Sequence, residues 1–402
     1  MNGLNKKKYI MINLIFALSM LSSSLLFTNC NADHKDEIFV PEYTLVTPYT
    51  NADTWVAYNA FNESLLDKNR KIYFRDTNRQ ASDANAVGAI WTQAIFWDMA
   101  MNAYKRDKDG KYLQLVNDLF EGNKNYYDNY NWNNGQVWFI YDDIMWWVIS
   151  HARAYELFKD PKYLELAESG FKRVWSGSPQ LGDPGSYDPV EGGMFWAWEN
   201  NNPSKLKAGK MACINYPTII AAMTLYNATG KAEYLSKAKE IYEWSYKNLF
   251  DNKRGLVADS RHGKANDWTS QVYNQATCIG AATMLYKSTG EQRYLDAAKL
   301  TADYTMNTMS APLMIMPYKN GIEQGIYTAI FAQYIVRLIE DGNQKQYLPW
   351  LQRTINYGWK NRDKSRNLMG KNYTQQYTAN DVIECYDASG ITALMLVIPA
   401  EK

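Results

Sequence analysis

Two adjacent aspartates, Asp142 and Asp143, are the residues of this chain whose types and spacing best suit chemistry. They stand in the string VWFIYDDIMWW, from Val137 to Trp147, which opens a predicted helix. Burial raises the pKa of a carboxyl, and a second carboxylate nearby raises it further, so one of the pair can stay protonated and act as an acid. Retaining hydrolysis of a glycosidic bond needs two carboxyls roughly 5–5.5 Å apart, which neighbouring side chains at a helix start can reach.

A structural role is the alternative for this pair. Asp is favoured at helix N-caps and in first turns, because it meets free N–H groups and the positive end of the helix dipole. Those contacts lower the carboxyl pKa and oppose an acid role. The flanking Trp and Tyr residues favour the chemical interpretation, and the sequence leaves both open.

Two later loops repeat polar and aromatic residues before predicted helices. The first contains Gly192, Gly193 and Trp196, with Asn215 following; the second contains Asp259, Trp268, Tyr273 and Asn274. A single Asn or Gln in a loop most often bonds to local backbone. Repetition of this chemistry at one end of successive hairpins favours a functional rim.

The composition favours a sugar ligand over a nucleic acid. The chain has 14 Trp and 31 Tyr residues, and 43 basic residues nearly balance 42 acidic ones. Aromatic rings stack on the apolar face of a pyranose, although a large aromatic core is the alternative. Nucleic-acid binding would favour a basic excess or a basic stripe, and neither is visible.

A tyrosine pair separated by eight residues recurs four times along the chain. The pairs are Tyr104 and Tyr112, Tyr155 and Tyr163, Tyr226 and Tyr234, and Tyr286 and Tyr294. Each second tyrosine is followed by leucine, and breakers such as Gly, Asp, Lys or Pro lie between the two. The pattern predicts a helical hairpin with one tyrosine near the end of the first helix and the other in the first turn of the second.

The repeats predict an all-α fold built from stacked hairpins. Their starts are 51, 71 and 60 residues apart, which does not fit the roughly 34-residue period of a tetratricopeptide solenoid. A degenerate fifth unit is expected over 329–357, and 55–66 with the helix after Val87 is expected to supply the opening unit. Long Trp-, Asn- and Gly-rich connections favour a closed toroid with one functional rim over an open solenoid.

The first 29 residues are predicted to be a secretory signal peptide. Lys6, Lys7 and Lys8 precede an apolar stretch that ends near Cys30. A cysteine at this place is similar to the lipidated residue of bacterial lipoproteins, and ordinary cleavage beside an incidental cysteine is the alternative. We therefore predict an outer-membrane lipoprotein, at the cell surface or the periplasmic face, with a tether over 30–45 and a catalytic domain over 46–402.

Other chemistries find little support. Among the three histidines, His34 is in the tether, His262 is in a polar loop, and His151 falls within a helix, where a packed or a surface-facing position is expected in place of a catalytic one. No His/Cys spacing suggests zinc and no Gly-rich loop suggests a phosphate cofactor, so neither metal nor cofactor is predicted. Cys213, Cys278 and Cys385 are expected to be buried free thiols.

These strings together resemble glycoside hydrolase family 76, the α-1,6-mannanases. The resemblance covers about Trp91 to Ser389 and rests on YDDxxWW at 141–147, the GG-aromatic loop at 192–196, and YNQ at 273–275. The QGIY string at 324–327 and the four hairpins add weaker support. Lys210-Met211, Ala276 and Gln324 depart from the family's pattern, which bears on the sugar subsites and not on the aspartate pair.

The resemblance implies an (α/α)6 barrel and endo-acting hydrolysis of α-1,6-mannan with retention. It implies that Asp142 is the nucleophile and that Asp143 is the general acid/base. The expected partner is α-mannan, bound by a monomer that reaches the membrane only through its lipid. The implied sugar-binding residues are Trp91, Tyr141, Trp196, Asn215, Asp259, Trp268, Tyr273 and Asn274.

Two rival functions use the same scaffold. A non-catalytic glycan-binding lipoprotein is one, and the intact Asp142-Asp143 pair argues against a decayed site. Another toroidal enzyme, such as a sugar epimerase or an unsaturated-uronate hydrolase, is the second. The epimerase would need paired catalytic histidines and the uronate enzyme would need basic cleft loops, and the sequence supplies neither readily.

Overall fold

The computed structural model describes residues 47–79, 86–198, 206–207, 209–321 and 323–401. The predicted signal peptide, Cys30 and the predicted tether lie outside these ranges. Within them the fold is built from twelve α-helices, and the strands are only two or three residues long. None of these helices is long and apolar enough to cross a membrane.

The helices form two concentric layers. The inner helices are α2 (Ile90–Asp107), α4 (Tyr141–Phe158), α6 (Ala212–Thr229), α8 (Val272–Thr289), α10 (Ile326–Glu340) and α12 (Cys385–Val397). The outer helices are α1 (Asn51–Leu65), α3 (Gly110–Tyr126), α5 (Pro161–Ser176), α7 (Ala232–Asn248), α9 (Gln292–Tyr304) and α11 (Leu348–Lys360). Each inner helix packs against the next, and α12 packs against both α10 and α2, so the ring is closed. The all-α toroid is confirmed, and the open solenoid is excluded.

The repeated tyrosine pairs form the predicted hairpins for a local reason. The first tyrosine of each pair lies in the last turn of an inner helix, and the residue four positions later is left-handed: Lys108, Lys159, Gly230 and Gly290. The backbone N–H of that residue donates to the tyrosine carbonyl at 2.7–2.9 Å. Each helix therefore ends with its last carbonyls satisfied, and a two-residue turn sends the chain back antiparallel.

The inner helices are buried on all sides. In α6 every residue from Ala212 to Leu225 is buried. Small residues let the helices approach closely: a Cβ added at Gly280 in α8 would lie 2.5 Å from the ring of Tyr334 in α10. An outer helix such as α5 instead buries one face, with Tyr163, Ala167, Phe171 and Val174 inward. The outer helices therefore show an apolar stripe along one face, whereas the inner helices are apolar all round.

The expected opening unit was wrong. The helix after Val87 is α2, which forms the first tyrosine hairpin with α3, and α1 packs against α12 from the other end of the chain. Thr54 Oγ1 donates to Met395 O at 3.4 Å, and Tyr49 OH donates to Ile398 O at 3.0 Å. Four pairs are formed by consecutive helices, whereas α11 packs against the following helix α12 and α1 packs against the last helix of the chain, a contact that no local pattern predicts.

The inner helices α2, α4, α6 and α8 are each followed by a two-residue turn to an outer helix, so all four begin at the same end of the barrel. The connections at the starting end are long and carry the short antiparallel strands. These are β1 (Leu66–Asp67) with β2 (Ile72–Tyr73), β3 (Ala197–Trp198) with β4 (Leu206–Lys207), β6 (Phe250–Asp251) with β7 (Leu256–Val257), and β8 (Ser260–His262) between β5 (Lys210–Met211) and β9 (Ala265–Asp267). The predicted single rim of loops is therefore present.

Candidate active site

The first turn of α4 carries Asp142 and Asp143, and neither carboxylate caps the helix. The N-cap is Ile140, which makes no side-chain capping bond. The buried Oδ1 of Asp142 has no hydrogen-bond partner among the described residues. Buried polar groups are normally bonded, so an unbonded carboxylate oxygen at a helix start fits a chemical role better than a capping one.

The two carboxyls have raised pKa values. Burial raises the pKa of Asp142 to about 7, although the side chains of Cys213, Trp196 and Trp146 act as donors that favour its charge. Burial, the Asp142 charge and then the Glu323 charge raise the pKa of Asp143 well above its usual range. Because donors face only Asp142, that residue is the one that carries the charge, and Asp143 retains the proton.

A third carboxylate, Glu323, lies in the loop before α10. Its Oε2 accepts a hydrogen bond from Trp91 Nε1 at 3.2 Å, and its pKa is raised, chiefly by burial. The backbone of Glu323 is left-handed, with φ of 67°. A non-glycine residue in this conformation is strained, and such strain is concentrated at functional sites. Sequence reasoning missed Glu323, since a lone glutamate in a loop carries no pattern.

Aromatic side chains surround the carboxyls. The rings of Trp91 and Trp146 lie 5.9 Å apart, and those of Tyr273 and Tyr327 lie 4.2 Å apart. Trp91, Trp196 and Tyr273 are each only partly buried. These three predicted sugar-binding residues are therefore brought to the rim beside the aspartates, where a sugar ring could stack on them.

Asp259 and Asn274 form a polar pair on the same side. Asn274 Nδ2 donates to Asp259 Oδ1 at 2.9 Å, while the buried Asn274 Oδ1 has no partner among the described residues. Burial raises the pKa of Asp259, and the Asn274 bond opposes this rise. The charge of Asp259 also acts on Cys213 and Tyr273, so the pair belongs to the same site.

Asn215 and Tyr141 lie beneath the loop that carries Trp196 and hold that loop in place, so neither side chain faces the accessible surface beside the aspartates. Asn215 is fully buried; its Oδ1 accepts from Met194 N at 2.8 Å, and its Nδ2 donates to Met194 O at 3.0 Å and to Met211 O at 2.7 Å. Tyr141 is also fully buried, and its hydroxyl donates to Asp183, which forms an ion pair with Arg173. The structure thus places both predicted sugar-binding residues beneath the loop that carries Trp196.

Trp268 lies on the outer side of the rim. Its side chain is 42% exposed, and it lines a surface groove with Tyr246 and Phe250 at the end of α7. The structure does not bring Trp268 together with the aspartates. The tryptophan follows β9, whose hairpin with β8 carries it outward, a consequence of pairing that the sequence did not reveal.

The start of α12 adds residues that sequence reasoning missed. Tyr386 OH accepts a hydrogen bond from Ala89 N at 2.9 Å, which joins α12 to the start of α2. Burial raises the pKa of Asp387 to about 7, and Lys371 Nζ lies 3.6 Å from its Oδ2. A Cβ at Gly325 would lie 2.4 Å from Asp387 Cα, so the QGIY string needs glycine where α10 meets α12.

His151 packs into the helical core and supplies no acid or base beside the aspartates. His151 is fully buried, with its Nδ1 2.8 Å from Trp147 O, and burial lowers its pKa to about 3. Of the two positions expected for His151, packed or surface-facing, the structure shows the packed one. Cys213, Cys278 and Cys385 are buried, as expected. In the described parts of the chain, no group of three His, Cys, Asp or Glu side chains is arranged to hold a metal ion.

A closed ring of inner and outer helices, with adjacent carboxyls among aromatic side chains at one rim, is the arrangement of a glycoside hydrolase of the α/α-barrel class. The whole ring takes part in a family match: the model of Glycosyl hydrolase family 76 matches residues 53–397. The chain belongs to this family. No curated protein sequence matches the chain significantly.

Several solved structures share this fold. An inactive variant of the α-1,6-mannanase GH76A of Salegentibacter sp. HEL1_6, in complex with α-1,6-mannotriose, has a TM-score of 0.73 and 23% identity over 86% of this chain and 97% of its own. A Listeria innocua protein has a TM-score of 0.74 and 24% identity over 86% and 96%. A family 76 mannosidase from Bacteroides thetaiotaomicron has a TM-score of 0.70 and 18% identity over 86% and 96%.

Proposed function

We propose that this glycoside hydrolase is an endo-acting α-1,6-mannanase that retains the anomeric configuration. The observation that carries the proposal is the Asp142–Asp143 pair, two carboxyls with raised pKa values of which only one faces donors. In the similar Salegentibacter mannanase, the variant with two consecutive aspartates replaced is inactive and holds α-1,6-mannotriose. That relative supports both the substrate class and the importance of such a pair.

In the first step Asp142 acts as the nucleophile. One of its carboxylate oxygens attacks C1 of the mannosyl unit, and the bond from C1 to the glycosidic oxygen breaks. Asp143 transfers its proton to that oxygen, which leaves as a hydroxyl. The raised pKa of Asp143 keeps this proton in place until the oxygen develops negative charge.

In the second step Asp143 acts as a base. Its carboxylate removes a proton from a water molecule as the water oxygen attacks C1, and the bond between C1 and Asp142 breaks. The sugar leaves with its original configuration after two inversions. The donors facing Asp142 stabilise the carboxylate both before attack and after release.

The mannan is expected to lie across the rim against Trp91, Trp196 and Tyr273. Asp259 and Asn274 present a carboxylate oxygen and an unbonded amide oxygen that can accept bonds from sugar hydroxyls. The endo mode rests on the resemblance of the motifs to the family's mannanases. We further propose that the protein acts as a monomer.

The proposed location is the outer membrane, through a lipid on Cys30. Labelling cells with an alkyne fatty acid would test it: the wild-type protein is expected to incorporate the label, and Cys30→Ala is expected not to. Label retained on Cys30→Ala would contradict the anchor. Protease treatment of intact cells would separate the surface from the periplasmic face.

Product analysis on linear α-1,6-mannan tests the activity. The wild-type protein is expected to release short manno-oligosaccharides, while Asp142→Ala and Asp143→Ala, checked for folding by circular dichroism, are expected to release none. Binding of mannan without cleavage would favour the non-catalytic glycan-binding protein. Release of mannose alone, one unit at a time, would contradict the endo mode.

A further inference from the structure

A groove of about 500 Å³ lies behind the loop that carries Trp196. Phe195 and Trp244 line it together with Lys210, Lys247, Arg261 and Lys264, and we call it the basic groove. Phe195 and Trp196 are neighbours on one short loop, and the Trp196 side chain acts as a donor to Asp142 while Phe195 faces the groove. The two sites are therefore separated by the thickness of this loop.

Three of the four cations in the basic groove are not neutralised. Lys210 Nζ lies 2.7 Å from Asp188 Oδ2 and is paired. In the described part of the chain, Lys247 and Lys264 have no carboxylate within ion-pair distance. Within the described ranges, Arg261 donates to two neutral acceptors, Lys264 O at 3.2 Å and Asn266 Oδ1 at 2.9 Å.

The carboxylates of the groove do not offset these charges. Glu243 is engaged by Arg293, whose NH1 lies 2.6 Å from Glu243 Oε1. Glu191 has a side chain that is 72% exposed and lies 3.9 Å from Lys210 Nζ, so it adds to the compensation of Lys210. An uncompensated positive charge in a concave, partly apolar setting attracts anions more strongly than the same charge on a flat surface.

The aromatic side chains of the basic groove are held in place. Gly193 has φ of 78°, and a Cβ at this position would lie 2.6 Å from the Trp244 ring, so the loop packs directly on the indole. Lys210 Nζ lies 5.0 Å from the Phe195 ring centroid and 5.3 Å from that of Trp244. Fixed rings beside free cations match a ligand with an apolar face and an anionic group.

We propose that the basic groove binds a sugar that carries an anionic oxygen group, such as a phosphate monoester. The pyranose packs against Phe195 and Trp244, and Lys247, Arg261 and Lys264 bind the anion. Because the groove adjoins the rim, the ligand is an anionic substituent of the glycan that the rim holds. The identification of the ligand as a substituent of the rim's glycan rests on the proposed function, whereas binding of an anionic sugar to the basic groove does not.

Calorimetric titration with mannose 6-phosphate, glucuronate and mannose tests the proposal at low and high salt. Mannose 6-phosphate is expected to bind tightest, glucuronate more weakly and mannose least, and added salt is expected to weaken the two anions. The variants are Lys247→Glu and Lys264→Glu, each expected to weaken mannose 6-phosphate about tenfold or more. Lys172→Glu, at an exposed lysine on the neighbouring outer helix α5, is the matched control and is expected to bind as the wild type does.

Equal binding of mannose and mannose 6-phosphate would overturn the proposal, and so would unchanged affinity in both lysine variants. Binding of phosphatidylglycerol vesicles tests the alternative ligand, an anionic lipid surface. If the vesicles bind through Lys247 and Lys264 while mannose 6-phosphate does not, the groove is a membrane-facing surface and the proposal is wrong. Since the readout is binding, loss of mannan hydrolysis would refute the proposed function and leave this result intact.

Discussion

Trp91 Nε1 donates a hydrogen bond to Glu323 Oε2 at 3.2 Å, and this bond fixes a third carboxylate beside the two aspartates. The Glu323 charge acts on both Asp142 and Asp143 and raises the pKa of each. The Glu323 carboxylate therefore raises the pKa of Asp143 through its charge and helps to keep Asp143 protonated. Glu323 is therefore a positioning residue that acts through Asp143.

Glu323→Gln is expected to lower the pKa of Asp143, because a negative neighbour is removed. The acid then loses its proton at lower pH, and the alkaline limb of the kcat/KM profile is expected to move down by roughly one pH unit. Glu340→Gln, at an exposed position at the end of α10, serves as the control. An alkaline limb that stays in place in Glu323→Gln would contradict the role.

Asp143→Asn is expected to change how stability depends on pH. The folded pKa of Asp143 lies well above the unfolded value of 3.8, so the native state binds a proton that the unfolded chain releases as pH rises. The wild type therefore loses stability with rising pH above about 4, and the variant escapes this loss. We expect similar urea midpoints at pH 4 and a variant more stable by at least about 1 kcal/mol at pH 8. The exposed Asp107→Asn should show no such divergence.

Tyr141→Phe separates support from sugar binding. The buried hydroxyl donates to Asp183, so its loss is expected to lower the free energy of unfolding by about 1–3 kcal/mol. The KM for mannan is expected to stay the same, since the buried Tyr141 ring does not reach the accessible surface beside the aspartates. Tyr273→Ala, which removes a ring from the accessible surface beside the aspartates, is the comparison and is expected to raise KM. A raised KM with unchanged stability in Tyr141→Phe would show that Tyr141 contacts the sugar after all.

Trp196→Ala and Trp268→Ala are expected to differ sharply. Trp196 faces Asp142, and loss of its ring is expected to raise KM by roughly tenfold. Trp268 lies in the outer groove with Tyr246 and Phe250, and its loss is expected to change KM by less than about twofold. Equal effects in steady-state assays on α-1,6-mannan would mean that the substrate extends over the outer rim.

Local chemistry explains which features could be predicted from the sequence. The four hairpins were predictable because each turn is closed by a hydrogen bond to the carbonyl of the repeated tyrosine, four residues away. The contact of α1 with α12 could not be predicted from the sequence, because its partners Thr54 and Met395 are 341 residues apart. No periodicity links the two ends of a chain.

The same contrast holds within the site. The Asp142–Asp143 pair stands in a distinctive string, whereas Glu323 is an isolated residue that becomes significant only when the loop before α10 is placed beside Trp91 at the start of α2. Asn215 and Asn274 occupy similar places in their helices, yet one holds Met194 and the other faces Asp259. The direction of a side chain decides whether it holds a loop in place or faces the candidate sugar site, and that direction depends on packing that the sequence does not display.

In the proposed mechanism Asp142 forms a covalent bond to the sugar, while Asp143 donates a proton to the leaving oxygen and then removes one from water. This mechanism is tested most directly by trapping with an activated 2-deoxy-2-fluoro-mannosyl donor in Asp143→Ala, followed by proteolysis and peptide mass spectrometry. A fluoromannosyl group is expected on Asp142, and none is expected in the double variant Asp142→Ala/Asp143→Ala. A sugar attached to another carboxylate, such as Glu323, or turnover with inversion and no adduct, would contradict it.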